Sequence, residues 1–282
     1  MGLVKTLFIF FILLRFYNSY SQGIGSFSAS NSVSKDSAQK ILDQELKKTD
    51  DWDVDSGLVF FAFKMGADIN TKGRNGGNAF DWATGIHDSS VFAKLVKIGI
   101  NVNTKDSWGD IPLQMAANFG DFAIAKILID NGSDINSRGR NGTTPLINAC
   151  YHGRQVAELL VSKGANVNYS DSEQFTPLHL AKDTLILKIL LNHGAIVDAR
   201  DLNGNTPLQY AAGDNNIGKV RLLIRYGADI NAINKKGSTP IDVAMQSSNY
   251  EAQYNNNDEV INYLKSIGGK SGNELPKNKT KK

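Results

Sequence analysis

Cysteine is almost missing: Cys150 is the only one in 282 residues, so no intramolecular disulfide can form and no thiolate metal site can be assembled. Such a chain must hold itself together by burial. Long apolar runs are scarce as well. The one candidate, TLFIFFILL at 6–14, is interrupted by Arg15, far short of the roughly 20 residues that cross a bilayer. Neither sign of charge dominates: the formal net charge is +3, so composition alone gives no reason to expect nucleic acid. Histidine is rare too, with His87, His152, His179 and His193 lacking ligand spacing, and there is no H-E-x-x-H, nucleophile elbow or Walker loop. These absences argue against an enzyme and against a bound metal or cofactor. DWDVDSG at 51–57 alternates aspartates as a calcium loop does, yet Ser56 and Ala62 stand where such a loop requires glycine and a bidentate glutamate. Capping of the helix containing LVFFAF by Asp55 or Ser56 is the expected role of this segment.

Proline is also sparse, but its placement is regular. Five of the six prolines, Pro112, Pro145, Pro177, Pro207 and Pro240, are spaced by 33, 32, 30 and 33 residues, and Ala79 stands 33 before the first. Each opens one phrase: NAFDWA at 78, IPLQMA at 111, TPLINA at 144, TPLHLA at 176, TPLQYA at 206 and TPIDVA at 239. A second phrase, GADIN at 66, GINVN at 99, GSDIN at 132, GANVN at 164, GAIVD at 194 and GADIN at 227, always lies 12 residues earlier. The interval from the first phrase to the next glycine varies instead: 21, 21, 20, 18, 21 and 29.

These residues punctuate helices. Threonine before proline is an N-cap followed by a residue preset for the first helical position. Glycine after stretches such as AKILIDNG or VRLLIRYG is a left-handed cap that ends a second helix. Between them, Asn or Asp at 70, 103, 136, 168, 198 and 231 starts a turn, and Gly76, Gly109, Gly142, Gly204 and Gly237 allow positive φ near its tip. Each unit therefore reads helix, loop, helix, projecting turn. His179, third after the Thr176 cap, aligns with Asp81, Gln114, Ile147, Gln209 and Asp242. Most of these can return a hydrogen bond to the helix start, so His179 is expected to be architectural. One such unit cannot bury its apolar face alone, whereas stacked units bury a continuous core and need polar faces only at the ends. Asp43, Gln44, Lys47 and Lys48, and at the other end Asn262 and Lys265, suit such ends.

With these phrases in place, the chain resembles the ankyrin repeat family. The resemblance implies an all-α solenoid of stacked helix-loop-helix units with projecting β-turn or hairpin loops, acting as a protein-binding module through its turns and short inner helices. It covers a domain at 37–269, about six repeats plus an N-terminal capping unit. Departures from the pattern are local: Gln174 replaces a tip glycine, the unit at 176 lacks three residues between its helices, and the unit at 239 carries eight extra within QSSNYEAQYNNND.

The turn tips form the candidate contact surface. They carry eight basic residues, Lys72, Arg74, Lys105, Arg138, Arg140, Arg200, Lys235 and Lys236, against five acidic ones, with Trp108, Tyr169 and Phe175 among them. Arginines and exposed aromatics dominate protein interfaces. A monomer binding another protein is expected. An effector acting in another cell and a carrier of a small acidic ligand or polyanion are the alternatives. Cys150 aligns with Ala117 and Ala212, which implies a buried, unreactive thiol.

The ends read as processing and tether segments. Lys5, the apolar run and the small residues Ser19 and Ser21 fit a signal peptide at 1–21 cleaved before Gln22, with a periplasmic or secreted destination and no membrane span in the mature chain. A loose myristoylation pattern at Gly2 leaves the apolar run unexplained, and no cysteine follows the run to carry a lipid. A disordered Ser/Gly-rich linker is expected at 22–36, and a basic disordered tail at 270–282.

Overall fold

The computed structural model describes residues 34–46, 56–73, 78, 79, 83, 87–250 and 258–276. Thirteen α-helices and one 3-10 turn (Arg140–Gly142) lie among them: α1 (Lys35–Glu45), α2 (Ser56–Lys64), α3 (Ser89–Lys97), α4 (Pro112–Phe119), α5 (Phe122–Asp130), α6 (Pro145–His152), α7 (Arg154–Ser162), α8 (Pro177–Leu180), α9 (Thr184–Asn192), α10 (Pro207–Gly213), α11 (Ile217–Arg225), α12 (Pro240–Tyr250) and α13 (Asp258–Ser266). No strand occurs among the described residues. The expected signal peptide, the aspartate run 51–55 and most of the expected linker lie outside them.

Two helical layers run the length of the array. The inner layer stacks α4, α6, α8, α10 and α12 in order, and the outer layer stacks α3, α5, α7, α9, α11 and α13. The sandwiched side chains form one continuous apolar core, from Ala38 and Leu42 through Phe92, Leu113, Leu128 and Leu160 to Leu223 and Leu264. This continuity explains how the chain dispenses with disulfides. Within each pair the helix ends are set by the expected residues. Thr144 Oγ1 accepts the Ile147 amide at 3.3 Å and Thr206 Oγ1 the Gln209 amide at 3.4 Å, each with proline at the first helical position. Gly66, Gly99, Gly132, Gly164, Gly194, Gly227 and Gly268 all have φ between 83° and 95°, the left-handed conformation that closes a helix.

Successive units are joined through their turns. A side chain at the start of each turn accepts the backbone N–H of the next: Asn103 Oδ1 from Asp134, Asn136 Oδ1 from Asn166, Asn168 Oδ1 from Ile196 and Asn231 Oδ1 from Lys270, at 2.8–2.9 Å. In the opening unit Gln39 of α1 plays this part, accepting the Asp68 amide at 2.8 Å.

The irregular unit lies where Gln174 and the short connection occur. Its inner helix α8 is only four residues long, and beyond it the Lys182 amide turns back to the Cys150 carbonyl at 3.2 Å. Gln174 adopts the glycine conformation itself, at φ 62°. The ends of the domain also shift slightly. Ser34 caps α1 and Lys35 and Asp36 form its first turn, so the linker gives way to helix before residue 37. At the other end Lys270–Pro276, expected in the tail, instead folds onto the last turn: Thr239 Oγ1 donates to the Lys270 carbonyl at 2.8 Å and the Gly272 amide to Asp242 at 2.7 Å. The last unit has Asn231, Thr239 and Asp242 side chains directed past its own end, and this segment satisfies them.

Candidate functional site

Each tip is a small hairpin that closes on itself. The amides of Asp106, Gly139, Asp171, Asp201 and Asn234 donate to the carbonyls of Asp110, Thr143, Phe175, Asn205 and Ser238, at 2.9–3.1 Å. In four of the five, the side chain at the first of these positions then accepts two further amides inside the loop. Asp106 takes Trp108 and Asp110, Asp171 takes Glu173 and Phe175, Asp201 takes Asn203 and Asn205, and Asn234 takes Lys236 and Ser238, at 2.7–3.0 Å. The remaining tip has Gly139 there, because a Cβ would fall 1.8 Å from Asp110 Oδ1 and 2.2 Å from Gln114 Nε2. Asp110 reaches across from the preceding unit to accept the Arg140 amide at 2.8 Å. Burial raises its carboxyl above the usual range, partly offset by that bond.

Tips are also bonded to one another along the array. The amides of Ser172, Leu202 and Lys235 donate to the carbonyls of Asn141, Glu173 and Asn203, at 2.8–3.0 Å. Three of the candidate cations reinforce this ladder: Lys105 Nζ donates to the Arg138 carbonyl at 3.0 Å, Arg138 to Ser170 at 3.0 Å, and Arg200 to Ile233 at 2.8 Å and to Gly204 in its own tip at 2.9 Å. On sequence alone, all these cations read as contact residues. The structure gives Lys105, Arg138 and Arg200 a share in holding the row rigid.

The other candidates divide by setting. Arg140 lies 5.8 Å from the ring centre of Trp108, which is 52% exposed, and Arg138 sits over Tyr169 at 4.9 Å. Arg140, Lys72 and Lys235 are exposed, and Arg74 lies outside the described residues. Phe175 is half-buried and faces inward, its ring 5.8 Å from His179 and 5.5 Å from Tyr210 in edge-on contacts. It is therefore the floor between tips and inner helices rather than a projecting contact.

The inner helices add exposed aromatics beside the tips. Sequence reasoning overlooked their aromatics: Tyr151 on α6 and Phe119 at the end of α4 are about half exposed, and Tyr210 on α10 donates to Asp201 at 2.6 Å. Burial and that bond push the Tyr210 phenol well above its usual range. Burial works against the Asp201 charge, but donors from Tyr210 and Asn205 outweigh it and hold the carboxyl below the usual range. An aromatic four, seven or eight residues after the helix cap, as Tyr210 after Thr206, Tyr151 after Thr144 and Phe119 after Ile111, was the available signal.

His179 connects this site to the stack. The Thr176 amide donates to its Nδ1 at 3.2 Å, and its Nε2 faces the Asn205 carbonyl of the next unit at 3.2 Å. Gln114 and Gln209 repeat the arrangement, with Oε1 accepting the amide of Ile111 or Thr206 and Nε2 donating to Thr143 or Ser238. Burial lowers the His179 pKa below its usual value of 6.5, consistent with a neutral ring that accepts at Nδ1 and donates from Nε2. Cys150 is fully buried and burial raises its thiol far above the reactive range. Among the described residues no cluster of three or more His, Cys, Asp or Glu is positioned to hold a metal ion, and no helix is long and apolar enough to cross a membrane.

The bonded row of tips and the short inner helices beside it repeat in register from unit to unit. A family model for ankyrin repeats matches the chain in three copies, at 82–171, 113–201 and 182–273. Together these matches span well over half of the sequence. The chain belongs to the ankyrin repeat family.

Proposed function

We propose that this chain is an exported, non-catalytic binding protein that holds a protein partner across its tips and inner helices. The observation that carries this reading is the row itself. Backbone bonds from tip to tip and staples from Lys105, Arg138 and Arg200 pre-organise it, so little conformational freedom is lost when a partner settles on it. Trp108 and Arg140 stand exposed in the row, and Tyr151 and Phe119 stand exposed on the inner helices, residue types that anchor protein interfaces. Export rests on the apolar run at 6–14 and on Ser19 and Ser21.

Two measurements test the proposal. Cell fractionation with N-terminal sequencing is expected to find a chain starting at Gln22 in an envelope or culture fraction, and an intact Met1 in the cytoplasm refutes export. Capture by the immobilised chain is expected to lose its partner when Arg74, Trp108 and Arg140 are changed to alanine together. Undiminished capture by that variant rules out the tips as the site.

A further inference from the structure

The formal charges of the tips understate how differently their two signs are presented. Eight basic residues stand against five acidic ones, a surplus of three that equals the formal net charge of the entire chain. Four of the five acids are turned into the architecture. Asp106, Asp171 and Asp201 each accept two amides of their own hairpin, and Asp110 accepts the Arg140 amide. Of the five only Glu173 keeps a carboxylate that is not engaged in holding a tip. The cations behave in the opposite way. Lys105, Arg138 and Arg200 donate to neutral carbonyls, and Arg138 and Arg140 lie against aromatic rings. Lys72, Arg140, Lys235 and Lys236 are exposed. None of the tip cations among the described residues has a carboxylate within ion-pair distance: the ion pairs found there are on other surfaces, such as Lys126 with Asp130 and Arg221 with Glu259.

A visitor to the tips therefore meets cations with unused donors and few accessible acids. The row is interrupted once. The hairpin at 169–175 holds no cation, carries Glu173, and stands over the aromatic group of Phe175, His179 and Tyr210. A nucleic-acid backbone, with a charge every 3.4 Å or so along each strand, calls for an unbroken basic track. The arrangement here has cations on both sides of an aromatic centre.

We infer that the partner's docking segment is an acidic stretch of protein, with carboxylates flanking apolar side chains that reach the Phe175–Tyr210 region. This rests on the protein-binding reading and specifies the chemistry of what is bound. Arg140 on one side and Lys235 and Lys236 on the other pair with the carboxylates, and Lys105, Arg138 and Arg200 keep those cations at fixed spacing.

The test uses the full chain from Gln22 and three fluorescent probes: a peptide with glutamates on both sides of a Leu-Phe pair, its glutamine counterpart, and an oligothymidylate of similar length. Anisotropy titrations are expected to show binding of the acidic peptide only, weakening about tenfold between roughly 50 and 200 mM salt, as screened charge pairs do. Combined Arg140→Glu, Lys235→Glu and Lys236→Glu is expected to weaken it by about tenfold or more. All three side chains are exposed, and circular dichroism checks that the variant retains its helices. Equal affinity for the oligothymidylate overturns the inference in favour of a general polyanion site. Equal affinity for the glutamine peptide, or indifference to charge reversal, overturns it as well. If the wild-type chain captures a protein whose binding ignores both salt and charge reversal, the acidic-segment inference fails while the protein-binding reading stands.

Discussion

Replacing His179 by leucine removes two polar links at once from the most irregular unit of the array. The Thr176 amide loses its acceptor, and the Asn205 carbonyl loses one of its two donors but keeps the Asp201 amide, in a region where His179 is only 7% exposed. Leaving the buried Thr176 amide unsatisfied costs about 1–3 kcal/mol and losing one further hydrogen bond about 0.5–1.5 kcal/mol, so the pair amounts to about 1.5–4.5 kcal/mol, against about 5–15 kcal/mol for the stability of a typical domain. With a urea slope of about 2–3 kcal/mol per molar, the unfolding midpoint followed by circular dichroism is expected to fall by about 0.5–2 M. Glutamine is the informative second variant, since Gln114 and Gln209 make the same two links at the aligned positions. His179→Gln is expected to unfold within about 1 kcal/mol of wild type, the cost of an imperfectly matched hydrogen bond. The variants separate further with pH. Burial holds the folded-state pKa of His179 below its ordinary 6.5, so between those two values the unfolded chain binds more protons than the folded one. The histidine's contribution is therefore complete above about pH 6.5 and is lost as pH falls from there through the depressed folded value. Depressed carboxylates such as Asp201 and Asp88 lose their contribution only lower, as pH falls below the ordinary aspartate value of 3.8. Wild type is thus expected to lose stability as pH falls below about 6.5, and the glutamine variant to lose markedly less. A leucine variant as stable as wild type, or a glutamine variant with the wild-type pH slope, refutes the role assigned to His179.

Two shorter predictions concern the same region. Gln174 holds a left-handed conformation at φ 62° where the other described tips have glycine; Gln174→Gly is expected to stabilise by up to about 1 kcal/mol, and a lower melting temperature in a thermal scan contradicts that. The Cys150 thiol is expected to resist a disulfide reagent in the native chain and to react fully in denaturant, because it is buried and its ionisation is suppressed; rapid native labelling would show that the core at α6 opens.

Much of this architecture is legible in the sequence because each signal is local and repeated. Thr-Pro at 144, 176, 206 and 239 starts helices, and glycine at 66, 99, 132, 164, 194, 227 and 268 ends them in the left-handed region. Even the irregular unit is visible, as Gln174 followed by a connection three residues short. What the sequence does not display is where a side chain ends. Gln114, His179 and Gln209 read as capping residues, and they do cap, but their far ends bond to the next unit about 26–29 residues on. Arg138 and Arg200 read as interface residues because exposed arginine is common there, yet each also fastens a neighbouring carbonyl. The split between inward acids and outward cations is hidden for the same reason. Both are charged turn residues on paper, and only the amides lining each hairpin decide which of them is occupied.

Where a backbone N–H is bonded to a side chain of a neighbouring turn, the bond always runs in one sense. Gln39, Asn103, Asn136, Asn168 and Asn231 each offer an oxygen to the amide of the unit that follows. As a chain lengthens from its N-terminus, every new unit meets a predecessor that already displays the acceptors it needs, so the array can be completed like masonry laid from one end. Loss of units is correspondingly unequal. Trimming from the C-terminus bares side-chain acceptors that water satisfies readily, whereas trimming from the N-terminus strips acceptors from backbone that remains, and the solenoid has a founding end and a growing end.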